Sequence, residues 1–143
     1  MKRLTISAAA AAATLFFASG ASAQDDSLAK SLQAADTAYA AKGYYPTGWT
    51  HMGNLDNGSQ DESAVVLSSA GLYQIIGVCD LQCKNFDLQL TDGNGNQVSA
   101  DTEDDDFPIV SASTSGPVTY RLKAMMKACT GLCAYELKVY IKK

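Results

Sequence analysis

The stretch LYQIIGVCDLQCKNFDLQLTDGNGNQVSA, residues 72–100, decides the fold. Its first part, residues 72–79, has apolar residues at successive positions, which is typical of a strand buried on both sides. Apolar and polar residues then alternate from Phe86 to Leu90, which predicts a strand with one buried side. The sequence DGNGN at residues 92–96 predicts a hairpin turn, because glycine and asparagine accept positive φ at low cost.

The same pattern continues on both sides of this stretch. Turn residues recur every eight to twelve positions, as in antiparallel sandwiches and barrels. We therefore predict an all-β protein of about seven or eight antiparallel strands, arranged as a β-sandwich or a partly open barrel. The last two strands are expected to form a hairpin. The predicted strands are residues 63–69, 72–79, 86–91, 97–100, 107–113, 118–128 and 135–141.

One helix is predicted before the strands, over residues 24–43. Asp26 or Ser27 can cap its start, and Gly43 is a natural stop signal. The apolar residues recur at helical spacing, so this helix should lie flat on another surface. Its apolar face consists of Leu28, Leu32, Ala35 and Tyr39.

The first 23 residues have the pattern of a secretory signal peptide. Lys2 and Arg3 precede a short alanine-rich apolar run, and Ala21-Ser22-Ala23 matches a signal-peptidase site. Cleavage there leaves 120 residues with 9 basic and 15 acidic side chains, a net charge of −6. We expect an exported protein, periplasmic or extracellular, that neither spans a membrane nor binds nucleic acid by charge.

Residues 44–62 are expected to form a connecting loop, because glycine, asparagine, aspartate and one proline interrupt any regular pattern. The loop concentrates aromatic residues and the single histidine of the chain. These side chains either seal one end of the core or bind a ligand. The candidate ligand-binding residues are Tyr44, Tyr45, Trp49 and His51.

Four cysteines form two C-x3-C pairs about fifty residues apart. In an exported chain an even number of cysteines indicates disulfides, whereas zinc ribbons usually use C-x2-C. Crossed pairing would close a longer loop and stabilise the fold more. Local pairing is favoured because each pair brackets a short polar or glycine-containing turn. The favoured disulfides are Cys79–Cys83 and Cys129–Cys133.

Acidic residues cluster after the DGNGN turn. Calcium prefers six to eight oxygen ligands, many of them carboxylates. The spacing of an EF-hand is partly present, but Gln97 replaces the required glycine and the flanking segments are strands. The cluster is therefore either a solvated loop or a calcium site of another geometry; no cofactor is required otherwise. The candidate calcium ligands are Asp87, Asp92, Asp101, Glu103, Asp104, Asp105 and Asp106.

No complete catalytic motif is present in the sequence. His51 would have to serve any serine or cysteine nucleophile, G-x-S-x-G is missing, and the cysteines are expected to be oxidised. We therefore expect no enzyme. A small hydrolase that uses His51 and nearby carboxylates is the least favoured alternative, and it requires a pocket that joins them.

Short motifs follow one another in a fixed order along the predicted strands, at Gly71, Tyr73, Asp87, Leu88, Leu90, Asp92–Gly95, Gly116 and Tyr120. In this order they resemble the bacterial pre-peptidase C-terminal domain and related small exported β-sandwich proteins. The resemblance covers residues 63–141 and implies a jelly-roll-like sandwich, usually a non-catalytic appendage of secreted hydrolases. Some members look calcium-stabilised, and some are thought to contact substrate.

We expect no enzyme domain before the predicted sandwich, residues 63–143. We therefore expect a stand-alone, non-catalytic module that binds a protein or a polysaccharide, or that associates with the cell envelope. Two alternatives remain open at this point. One is a calcium-stabilised structural or adhesion module, and the other is an inhibitor of a secreted enzyme that inserts an exposed loop, such as a disulfide loop, into a cleft.

Overall fold

The computed structural model describes residues 23–143, with side chains from residue 26 onward. The predicted signal peptide lies outside the described residues, apart from Ala23. No helix in the described part of the chain is long and apolar enough to cross a bilayer. The elements are α1 (Ala23–Ala41), β1 (Tyr44–Asp56), β2 (Gln60–Leu67), β3 (Gly71–Cys79), β4 (Cys83–Thr91), β5 (Gln97–Asp101), β6 (Ile109–Thr114), β7 (Val118–Cys129) and β8 (Leu132–Lys142).

Eight strands form two four-stranded antiparallel sheets. Sheet I has the order β1-β8-β3-β6, and sheet II has the order β2-β7-β4-β5. The chain changes sheet at every connection except the β4–β5 hairpin, which uses the predicted turn. This alternation is the topology of a jelly roll. The predicted all-β sandwich with one N-terminal helix is confirmed.

The inner sides of the two sheets form the main core. Along β7, for example, Leu122, Ala124 and Met126 are buried while the residues between them face outward. Alternation of this kind places one side of each strand against the opposite sheet. The predicted hairpin of the last two strands is wrong, because β7 belongs to sheet II and β8 to sheet I.

Helix α1 covers the outer face of sheet I. The Tyr39 ring stacks on Tyr140 at 4.5 Å, and Ile76 and Val78 are fully buried beneath the helix. Asp36 accepts hydrogen bonds from Lys138 Nζ and the Tyr140 hydroxyl, both at 2.7 Å.

Gly43 ends the helix, and the contacts of Asp36 determine the charge state of that carboxylate. Gly43 follows the helix with φ of 81°, which confirms its role as the stop. Burial raises the pKa of Asp36, but the hydrogen bonds from Lys138 and Tyr140 outweigh burial and leave this pKa below its usual value. The carboxylate is therefore ionised at neutral pH and anchors the helix.

The expected loop at residues 44–62 is wrong. Residues 44–56 form strand β1 and residues 60–62 begin β2, with a short turn between them, so the sandwich begins at Tyr44. β1 lies at the edge of sheet I and has a bulge between Pro46 and Thr50, where Gly48 has φ of 91°. An edge strand tolerates proline and glycine because one of its sides needs no backbone partner. Residues typical of turns therefore occur here within a strand.

Candidate binding sites

Strand β1 carries all four of the predicted ligand-binding residues but divides them between two faces. Tyr44 faces α1 and makes an edge contact with Tyr39, with ring centroids 5.8 Å apart. Trp49 packs against the main core, and its ring lies within 22° of parallel to the His51 ring, 6.4 Å away. Tyr45 is 46% exposed, with Lys143 Nζ 5.4 Å from its ring. Only Trp49 and His51 therefore form a shared surface.

His51 belongs to a polar cluster that joins the two sheets at their β1–β2 edge. Its Nε2 lies 2.9 Å from Asp61 Oδ2, and the buried Tyr135 hydroxyl donates to the same oxygen at 2.6 Å. Asp61 comes from β2 in sheet II, whereas His51 and Tyr135 come from sheet I. We call Trp49, His51, Asp61 and Tyr135 the edge cluster.

Gly53 leaves the space that the Tyr135 side chain occupies. A Cβ at this position would lie 2.8 Å from the Tyr135 hydroxyl oxygen and 2.9 Å from the ring. Real Cβ atoms do not approach other atoms so closely, so only glycine allows Tyr135 to reach Asp61 without a shift. The position of the carboxylate is therefore determined by packing as well as by hydrogen bonding.

Hydrogen bonding determines the charge state of the edge cluster. Donation from Tyr135, followed by the contact with His51, holds the pKa of Asp61 below its ordinary value. Burial and the Asp61 carboxylate raise the pKa of Tyr135. Asp61 is therefore an anion at neutral pH and Tyr135 a fixed donor. The His51 and Asp61 side chains remain 34% and 42% exposed, so a ligand can reach both.

The structure meets only part of what the hydrolase alternative requires. His51 does lie within hydrogen-bond reach of a carboxylate, as that alternative requires. Ser63, on the same side of β2 as Asp61, has a buried Oγ without a hydrogen-bond partner. Ser63 is therefore not hydrogen-bonded to His51. A separate cleft lies between α1 and the start of β6. It is lined by Tyr39, Phe107 and Ile109 among others, and His51 is not one of its lining residues.

The two predicted disulfides are present, and they lie side by side at one end of the sandwich. Cys79–Cys83 joins β3 to β4, and Cys129–Cys133 joins β7 to β8, so each links sheet I to sheet II. Cys83 and Cys129 are opposite each other in the β4–β7 ladder.

The disulfide loops are also hydrogen-bonded to each other. Thr130 N donates to Gln82 O at 3.0 Å. The two loops expose Leu81 (68%) and Leu132 (53%). We call residues 80–82 and 130–132 the disulfide tip.

Asp80 holds the disulfide tip in place and is only 2% exposed. Its Oδ1 accepts from Gln82 N at 3.0 Å and its Oδ2 accepts from Ala134 N at 2.8 Å. Sequence reasoning missed this residue. It also missed Asp61, although the alternation Asp61, Ser63, Val65, Leu67 places that carboxylate on the inner side of β2.

The candidate calcium ligands mostly bind the protein itself. Asp92 accepts from Asn94 N and Asn96 N in the hairpin turn, and Asp101 and Asp105 each accept from backbone N–H groups. Asp104 accepts from Asn85 Nδ2 at 2.9 Å. Within residues 26–143, no three carboxylate, histidine or cysteine side chains converge to hold a metal ion. The remaining candidates, Glu103 and Asp106, lie on the exposed β5–β6 connection.

Asp87 differs from the other acidic residues because it is 4% exposed and its Oδ1 has no hydrogen-bond partner. Burial raises its pKa, as do the nearby Asp101, Asp105 and Asp104 carboxylates, while Lys127 opposes them. Asp87 is therefore an unfavourably buried acid at neutral pH.

The comparisons with known proteins bear on the fold alone. No protein-family model matches the chain, and no curated protein matches it either. The pre-peptidase C-terminal domain of collagenase from Bacillus anthracis is similar, with 20% identity, a TM-score of 0.48 and coverage of 64% of this chain and 87% of that chain. A periplasmic inhibitor of g-type lysozyme, PliG from Aeromonas hydrophila, shares 10% identity with a TM-score of 0.45 over 66% and 85% of the two chains.

A carbohydrate-binding module of Cellvibrio mixtus lichenase 5A, in complex with cellotriose, shares 14% identity with a TM-score of 0.38 over 72% of this chain and 94% of that chain. The family that the sequence motifs resemble is therefore also found among the similar structures.

Proposed function

We propose that this protein is an exported, non-catalytic module that binds a polysaccharide at the edge cluster. The observation that carries the proposal is the nearly parallel pair of Trp49 and His51 rings beside the ionised Asp61 carboxylate. Two disulfides support export to the periplasm or beyond, because such bonds persist in oxidising compartments.

The chemistry of the edge cluster suits a sugar ring. A sugar has apolar C–H faces, which pack on aromatic rings, and hydroxyl groups, which donate to carboxylates. Asp61 is held by Tyr135 from the core side, and Trp49 packs against the core. Little side-chain freedom would therefore be lost on binding, which favours affinity.

Substitutions in the edge cluster and on the opposite face of β1 should separate binding from stability. We expect Trp49→Ala and Asp61→Asn to weaken polysaccharide binding at least about tenfold, roughly 1.4 kcal/mol, because each removes a ligand-facing group. Met52→Ala is the matched control: Met52 is the next residue after His51, is 71% exposed and lies on the opposite face of the strand.

Affinity electrophoresis against a panel of neutral and acidic polysaccharides measures this effect, with melting temperatures as the folding control. The proposal fails if no polysaccharide retards the wild-type protein. It also fails if folded Trp49→Ala and Asp61→Asn variants bind as well as Met52→Ala.

A second candidate function is inhibition of a secreted enzyme, and the disulfide tip favours it. Leu81 and Leu132 are exposed apolar side chains on loops that two disulfides and Asp80 hold rigid. Rigid loops lose little entropy on entering a cleft. This candidate requires that Leu81→Asp and Leu132→Asp abolish inhibition of a secreted hydrolase while Met52→Ala does not.

The calcium-stabilised alternative depends on Asp87. In buffer with EDTA at pH 7, we expect Asp87→Asn to raise the melting temperature, because the amide removes the burial penalty of a charged group. The raised pKa means that the wild type loses this penalty as pH falls and Asp87 becomes protonated. The gain should therefore be present at neutral pH and disappear on acidification.

If calcium binds at Asp87, it reverses the order of the melting temperatures of the wild type and Asp87→Asn. Millimolar calcium would then raise the melting temperature of the wild type by mass action but not that of Asp87→Asn. Equal melting curves with calcium and with EDTA would rule this alternative out. Thermal unfolding by circular dichroism in both buffers, from pH 4 to 8, gives both results.

A further inference from the structure

The outer face of sheet II differs from that of sheet I in chemistry and in covering. Ile76, Val78 and Tyr140 make the outer face of sheet I apolar, and α1 packs over them. The contacts of α1 are with β1, β3 and β8, all strands of sheet I. The outer face of sheet II has no helix over it in the described part of the chain.

Strand β7 places a row of basic side chains on this open face. Leu122, Ala124 and Met126 point into the core, so Arg121, Lys123 and Lys127 point outward. Residues two apart on a strand are separated by about 6.8 Å, so the row extends over about 20 Å. Arg121 and Lys127 are exposed and Lys123 is half-buried. We call these three residues the β7 row.

Two carboxylates lie on the same face as the β7 row: Glu62 is opposite Lys123 in the β2–β7 ladder, and Asp87 is opposite Met125 in the β4–β7 ladder. Glu62 lies 3.5 Å from Arg121, but both side chains are about half or more exposed, and such surface pairs exchange readily for other partners. Asp87 near Lys127 is buried. Asp104 and Asp105 of the β5–β6 connection lie near Asn85 and Asp87 of β4, at the Lys127 end of the row.

Besides Glu62 and Asp87, uncharged hydrogen-bonding groups flank the β7 row on the neighbouring strands. In the β4–β7 ladder Gln89 is opposite Lys123 and Thr91 is opposite Arg121, and in the β2–β7 ladder Gln60 is opposite Met125. The outward residues of β2, β4 and β7 include no aromatic side chain.

We infer that the β7 row is a binding surface for an anionic polysaccharide, separate from the edge cluster. Three cations in line match carboxylate or sulfate groups along a chain, and the glutamine and threonine side chains match sugar hydroxyls. Nucleic acid fits less well, because single strands need aromatic rings for stacking and duplexes need more cations. At physiological salt the Debye length is about 8 Å, so acidic residues farther than this from the β7 row are largely screened.

The test compares two triple variants that remove the same charge. Arg121→Gln, Lys123→Gln and Lys127→Gln remove the β7 row. Lys42→Gln, Lys142→Gln and Lys143→Gln remove three exposed cations that lie over tyrosine rings on other surfaces. Both variants are assayed with polygalacturonate, which carries carboxylates, with dextran sulfate, and with single-stranded DNA.

We expect the wild-type protein to bind polygalacturonate or dextran sulfate, and the β7-row variant to bind at least tenfold more weakly. The control variant should stay within twofold of wild type. The logarithm of affinity should fall with the logarithm of salt concentration with a slope on the order of 2 to 3 for three released counterions. This slope should approach zero in the β7-row variant.

Three results would overturn the inference: no binding to either anionic polysaccharide at low salt, equal losses in both triple variants, or equal binding of single-stranded DNA. Trp49→Ala separates this inference from the proposed function. A polyanion affinity retained in Trp49→Ala assigns binding to the β7 row, and an affinity lost there refutes a separate surface. Circular dichroism confirms that each variant is folded.

Discussion

Replacing Gly53 with alanine should both destabilise the protein and abolish ligand binding at the edge cluster. The new Cβ would meet the Tyr135 hydroxyl at 2.8 Å and its ring at 2.9 Å. Tyr135 is buried, so its ring cannot move aside freely. Overpacking of this kind costs about 1–3 kcal/mol, which denaturant unfolding measures. The displaced hydroxyl would no longer hold Asp61 at 2.6 Å.

Two comparisons test whether the contact with Tyr135 causes the loss of stability in Gly53→Ala. Gly116→Ala is the matched control, because no heavy atom lies within 4 Å of its added Cβ and its stability should barely change. In a Tyr135→Leu background, Gly53→Ala should cost far less, because the hydroxyl and ring that it meets are gone. An equal cost in both backgrounds would show that the contact with Tyr135 is not the reason.

The sandwich could be predicted from the sequence because its central strands have unambiguous patterns. Phe86, Leu88 and Leu90 alternate with polar residues, and all three are fully buried. β1 could not be predicted in the same way. As an edge strand, β1 buries only one residue, Leu55, which is 9% exposed. Its bulge also interrupts the alternation of inward and outward residues. A strand that contributes so little to the core leaves almost no periodic signal.

The candidate sites depended on long-range contacts and were therefore only partly predictable. Trp49 and His51 were identified by composition, but Tyr135, which holds the Asp61 carboxylate beside His51, is 74 residues from Asp61 and in the opposite sheet to it. Local disulfide pairing was predictable because each pair is four residues apart. The position of the two disulfides side by side was not predictable, because it follows from the register between β4 and β7.

Removing the Asp80 side chain should be among the most destabilising single changes in this chain. Asp80→Ala leaves the N–H groups of Gln82 and Ala134 without the carboxylate that accepts them at 3.0 and 2.8 Å. Asp80 is 2% exposed, so water does not readily replace it. Each unsatisfied buried donor costs about 1–3 kcal/mol, which predicts a loss on the order of 3 kcal/mol in urea unfolding.

Asp92→Ala is the comparison that isolates burial as the cause. Asp92 likewise accepts from two backbone N–H groups, those of Asn94 and Asn96, but in an exposed hairpin turn where water can take its place. Its removal should therefore cost much less than that of Asp80. Asp80→Asn should lie between the two, because the amide keeps one acceptor oxygen. Equal losses in Asp80→Ala and Asp92→Ala would mean that the disulfides alone maintain the tip and that Asp80 contributes no more than a surface turn residue.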